Sequence, residues 1–132
     1  MFHAKEYVKA ESLEQAYELN QKRSNVLAGG MMWLKMSSGN RNTVIDLSGL
    51  GLDQIEGTED EFRIGCMCSL RQLELHKVLN QYFDGAFREC TRWIVGTQFR
   101  NTATVGGSVF GRFGFSDILT CMMVLDSYVE LY

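Results

Sequence analysis

Two glycine pairs and one carboxylate are the residues whose types and spacing could do chemistry. Gly29 and Gly30 stand in "VLAGGMMWL". Gly106 and Gly107 stand in "TATVGGSVFGRFG", Thr102 to Gly114, which holds four of the thirteen glycines. Lacking Cβ atoms, such turns let backbone N–H groups approach an anion, and a following helix adds a favourable dipole. The chemistry would be the holding of a phosphate. Taken alone, Gly29-Gly30 equally fits a tight strand-to-helix connection, and neither pair matches Gly-x-Gly-x-x-Gly or a Walker A loop. In the second stretch Thr104 and Ser108 place hydroxyls on either side of the glycines. Asp117, ten residues past Gly107, either caps the next helix or holds a ligand hydroxyl.

The other reactive side chains point to no catalytic or metal centre. Cys66 and Cys68 form Cys-x-Cys, whose side chains would leave a strand on opposite faces. Cys90, Cys121, His3 and His76 stand apart, without the paired spacing of a metal site. Reduced, partly buried thiols are expected, and no metal. Arg100 and Arg112 flank the second glycine stretch, as anion partners or as solvated surface arginines. A formal charge of -3 gives no reason to expect nucleic acid or an anionic membrane as partner. There is no apolar signal core and no run of 18 apolar residues, so a cytoplasmic protein is expected.

These residues need elements to hold them, and the absence of proline leaves glycines and caps as the punctuation. Ser12 with Gln15 starts a helix from about Leu13 to Lys22. "NVLAGG" reads as a short buried strand ending in the first glycine turn, "MMWLKM" as the start of a helix, and "NTVIDL" (Asn42 to Leu47) as a second strand. From about Asp53 the pattern changes. "LDQIEGTEDEFRIGCM" reads as a β-hairpin around a Gly-Thr-Glu-Asp turn. Ser69 with Gln72 caps a helix through Leu70, Leu73 and Leu75, and another runs from about Ala86 to Val95. The second glycine stretch reads as a loop, Asp117 to about Leu125 as a buried helix apolar nearly all round, and "SYVELY" as a last strand. The expected fold class is α+β in two lobes. Residues 1–52 form a small α/β lobe. Residues 53–132 form a mixed or antiparallel sheet with helices.

Taken together, "VLAGGMMWL", "FRIGCMCSLRQL" and "QFRNTATVGGSVFGRFGFSD" resemble the FAD-binding domain of the molybdenum hydroxylases, a family that includes the flavin subunits of xanthine dehydrogenase and carbon monoxide dehydrogenase. The order and spacing agree along nearly the whole chain. An Ala-Gly-Gly turn, then Arg-Asn-x-x-Thr-x-Gly-Gly, then Ser-Asp is far more specific than either glycine pair. The resemblance implies a two-lobed, PCMH-type FAD-binding fold with the cofactor in the cleft. It implicates Leu27, Ala28, Gly29, Gly30, Met31, Met32, Trp33 and Leu34 in the first loop, wrapping the FAD pyrophosphate and ribityl chain. From the second stretch it implicates Ala103, Thr104, Gly107, Ser108, Gly111 and Asp117. The chain departs from the family in Met31-Met32, where polar residues are usual, in Ser108 for Asn, and in Phe115 for proline.

The function implied is electron relay within a xanthine dehydrogenase-like complex. A partner 2Fe-2S small subunit would deliver electrons through FAD to an acceptor such as NAD, beside a molybdopterin-binding large subunit, in a hetero-oligomer. No residue of this chain would need to be an acid, base or nucleophile. The family's flavin subunits continue past the strand in which Tyr132 falls, so the second lobe is expected to be incomplete. A non-catalytic remnant or assembly subunit that holds FAD weakly is the competing expectation. A cell-wall reductase acting on a UDP-sugar is a third, against which the Arg-Asn-x-x-Thr-x-Gly-Gly run argues.

Overall fold

Three parallel strands and a helix build the first part of the molecule. The computed structural model describes all residues, Met1–Tyr132. Strand β1 (Phe2–Lys9) is followed by helix α1 (Leu13–Asn20) and strands β2 (Val26–Ala28) and β3 (Gly39–Asp46). The sheet order is β1-β3-β2, with Tyr7 opposite Val44 and Val26 opposite the same residue from the other side. The middle strand is the one with three consecutive buried residues, Thr43, Val44 and Ile45. Two of them are β-branched aliphatics, as expected of a central parallel strand covered on both faces. Helix α1 packs Ala16 against Ala10 and Ile45, and Ser12 Oγ accepts from Gln15 N–H at its start.

The sequence pattern misses β1. Its burial alternates only weakly, and Lys5, Glu6 and Lys9 are exposed on an edge strand; pairing with β3, not composition, makes it a strand. A second correction concerns "MMWLKM". Only a single 3-10 turn, Leu34–Met36, forms there, and Met31 takes a left-handed φ of 56° that interrupts any helix begun at Gly30.

The second part begins with the expected antiparallel hairpin, β4 (Ile55–Gly57) and β5 (Phe62–Ile64). Six helices follow: α2 (Leu70–Leu75), α3 (Lys77–Tyr82), α4 (Ala86–Thr91), α5 (Thr97–Thr102), α6 (Val105–Phe110) and α7 (Asp117–Val124). Ser69 and Gln72 make the full reciprocal capping box on α2. His76 also has a structural task, its Nδ1 accepting from Leu79 N–H to cap α3. Helix α4 stops short of the expected Val95, whose φ of 50° is left-handed. Leu70, Leu73, Leu79, Phe87, Val105 and Ile118 form one core that draws on α2, α3, α4, α6 and α7.

Four further expectations are overturned here. The second glycine stretch is not a loop but helix α6, started by Thr104. Arg100 is neither solvated nor free for an anion. It is 6% exposed, its Nε donates to Glu74 Oε2 at 2.8 Å, and a guanidinium N–H donates to the Ile94 carbonyl. Helix α7 is not buried all round: Ile118 is, but Met123 and Val124 are 78% and 79% exposed. "SYVELY" forms no strand, because no strand lies beside it to complete a ladder.

Candidate functional site

The turn after β2 carries the first group of expected residues. Ala28 is buried, Gly29 and Gly30 bend the chain, and Met31, Met32, Trp33 and Leu34 lead into the 3-10 turn. None of the backbone N–H groups from Gly29 through Trp33 donates to a backbone carbonyl. Successive unpaired backbone donors leave N–H groups available to an anion. Lys35 carries a positive charge on the same turn, its Nζ 3.7 Å from Met32 Sδ. The sequence reading passed over Lys35, a lone lysine among apolar residues.

The second group meets this turn directly. A Cβ on Gly29 would lie 2.5 Å from Thr104 Oγ1, and one on Gly30 would lie 1.8 Å from the Thr102 carbonyl oxygen. These glycines therefore serve close packing of two backbones some seventy residues apart in sequence, as well as leaving donors accessible. Thr102, which the sequence reading did not single out, supplies the wall that Gly30 touches.

The donors of α6 are differently disposed. Val105 N–H donates to the Cys68 carbonyl, Gly106 N–H to the Cys66 carbonyl, and Gly107 N–H to Thr104 Oγ1. Gly106 is required because a Cβ would come within 2.7 Å of Cys66 Cβ. So the second glycine pair docks a helix on the Cys66–Cys68 segment, with its first N–H groups already spent. Thr104 is left as the side chain of this helix that faces the first turn. Ser108 Oγ donates to the Thr104 carbonyl. Gly111 lets Phe113 fold back, since its Cβ would meet the Phe113 ring at 2.9 Å.

Asp117 opens α7, whose start is tied back to α6 by Ser116 Oγ donating to the Ser108 carbonyl. Ser116, not Asp117, caps α7 by accepting from Leu119 N–H. The Asp117 carboxylate is exposed on the first turn and lines a groove between α4 and α7 with Cys90 and Cys121. All four cysteines are free. Burial pushes the Cys68 thiol up to about 11, and its Sγ donates to the Gln54 carbonyl. Such a thiol is structural rather than nucleophilic. A surface groove of about 500 Å³ is open and lined by Arg71 and Gln72 of α2 and by His76 at the start of α3. None of the glycine-turn residues lines it.

A family model described as the FAD binding domain in molybdopterin dehydrogenase matches residues 2–132. The chain belongs to that family. Among curated proteins it is 26% identical over 131 residues to the 6-hydroxypseudooxynicotine dehydrogenase complex subunit alpha of Paenarthrobacter nicotinovorans, covering 94% of this chain and 44% of that one. Among solved structures, a cyanide-inactivated Cu,Mo-CO dehydrogenase aligns with a TM-score of 0.80 at 20% identity, over 92% of this chain and 45% of that one. Quinoline 2-oxidoreductase from Pseudomonas putida 86 aligns with a TM-score of 0.68 at 16% identity, over 82% and 38%. The structural matches establish the fold. The chain spans less than half the length of the proteins it matches.

The cofactor of this FAD-binding domain family is FAD. The turn fits such a group on its own evidence: unpaired N–H donors from Gly29 to Trp33 suit a pyrophosphate, and the Thr104 hydroxyl faces them. No helix is long and apolar enough to cross a membrane.

Proposed function

We propose that this chain holds the FAD of a molybdenum hydroxylase complex and serves electron relay rather than substrate chemistry. The observation that carries this is the run of unpaired backbone donors at Gly29–Trp33, closed on one side by Thr104. In this reading Leu27, Ala28, Gly29, Gly30, Met31, Met32, Trp33 and Leu34 line the pyrophosphate side. Ala103, Thr104, Gly107, Ser108 and Gly111 shape the opposite wall, and Asp117 contacts a polar part of the nucleotide. Backbone donors suffice for the phosphates where Met31 and Met32 bring no hydroxyl. Bound FAD supplies the redox chemistry, accepting electrons and passing them on, while the protein supplies binding, orientation and electrostatics.

The proposed arrangement places the cleft between lobes 1–52 and 53–132. The partners are a 2Fe-2S small subunit and a molybdopterin-binding large subunit in a cytoplasmic hetero-oligomer, with NAD as acceptor in a xanthine dehydrogenase-like complex. Curated relatives support the multi-subunit setting, one being named a complex subunit alpha. The test is absorbance in the flavin bands before and after FAD is added, alone and with the partner subunits. Retained yellow colour after gel filtration is expected. A colourless chain under all these conditions points instead to an assembly subunit without flavin.

A further inference from the structure

We propose that Trp33, Phe113 and Phe115 form a stacking platform for a planar heteroaromatic ring tethered to the phosphates bound at the glycine turn. The proposal rests on the FAD reading above and adds to it Phe113 and Phe115, to which neither the glycine motifs nor the family resemblance assigns a contact with the cofactor.

Trp33 belongs to the run of unpaired donors, so its indole is carried by the proposed phosphate turn itself. Its ring centroid is 5.7 Å from that of Phe113 and 5.8 Å from that of Phe115. The two phenylalanines stack on each other at 5.1 Å and 14°. These distances and the offset geometry are those of favourable aromatic contacts. The cluster joins the turn after β2 to the segment between α6 and α7, which is to say it spans both walls of the cleft.

Folding leaves this cluster in water. Trp33, Phe113 and Phe115 are 50%, 39% and 65% exposed. Three large rings gathered beside a donor-rich turn and still partly in water are suited to take a further ring. A nucleotide supplies one on a short tether, either adenine through its ribose or isoalloxazine through the ribityl chain. Every base-like ring has a π-face, so the platform recognises both by the same contact.

The chain has two tryptophans, so in a Trp93→Phe background the emission reports on Trp33 alone. FAD affinity is measured by titration for this parent and for Trp33→Ala and Trp33→Phe in the same background. Loss of about tenfold or more is expected for Trp33→Ala, with Trp33→Phe within about threefold. Saturable quenching of Trp33 by ADP assigns adenine to the platform, and quenching by FMN assigns isoalloxazine. Unchanged FAD affinity in Trp33→Ala overturns the platform while leaving the FAD reading intact, even if the thermal midpoint falls, since that marks a purely structural strut. Absence of FAD binding by the parent chain sinks the FAD reading itself, and the platform with it.

Discussion

Gly30 sets the separation of the two walls, because a Cβ there would overlap the Thr102 carbonyl at 1.8 Å, and backbone cannot swing aside. Gly30→Ala is therefore expected to cost about 1–3 kcal/mol of stability, read from the urea midpoint. Gly114→Ala, where nothing lies within 4 Å, is the matched control and should be close to neutral. A second pair of substitutions separates helix capping from ligand contact. Ser116→Ala removes the acceptor for Leu119 N–H and should cost about 1 kcal/mol. Asp117→Ala removes no hydrogen bond that holds the fold, so it should change stability by less than about 0.5 kcal/mol while lowering FAD retention. Equal stability losses in the two variants, with FAD retained by Asp117→Ala, would assign Asp117 to the fold.

Between elements, the Arg100–Glu74 pair ties α5 to α2 in the core. Arg71 also bonds Glu74, and the Arg100 and Glu74 side chains are only 7% and 11% exposed. Burial pulls the Glu74 pKa up, but the hydrogen bonds from Arg71 and Arg100 outweigh it and hold the carboxyl below its ordinary 4.5. A depressed carboxyl contributes stability above its unfolded pKa and loses it as pH falls through the folded value. Acid titration of stability should thus fall below about pH 4.5 in the parent and flatten on that limb in Glu74→Gln. Arg100→Met, which leaves Arg71 as the partner of Glu74, should cost about 3 kcal/mol.

Elements with their own local signal were legible in the sequence. Ser12-x-x-Gln15 and Ser69-x-x-Gln72 marked α1 and α2, and the Gly-Thr-Glu-Asp turn marked the hairpin. The misses share a physical cause, in that distant contacts decide them. β1 exists through its register with β3, α3 and α5 are six-residue helices sustained by the core, and α6, which holds Gly106-Gly107, is docked by the Cys68 and Cys66 carbonyls accepting from Val105 and Gly106 N–H.

At the scale of the molecule, the proposed site draws on both parts of the chain. The open donors lie on the turn after β2, while Thr102–Thr104 and the Phe113–Phe115 pair come from the helical part. The family motifs exposed this pairing in advance through two glycine signals. They could not show that only the first pair keeps its donors free. A ligand that bonds both halves binds the folded chain and not the unfolded one, so it must raise the unfolding temperature by mass action. At a hundred times its Kd the stabilisation is about 2.7 kcal/mol, which for a chain of this size is a rise of about 10 °C. FAD should produce that shift in a thermal melt. Riboflavin, which has the ring but no phosphate, should produce far less, because the donors from Gly29 to Trp33 would then face nothing but water. Equal shifts from the two would show that the ring contacts alone carry the binding, and would remove the phosphate role assigned to the turn.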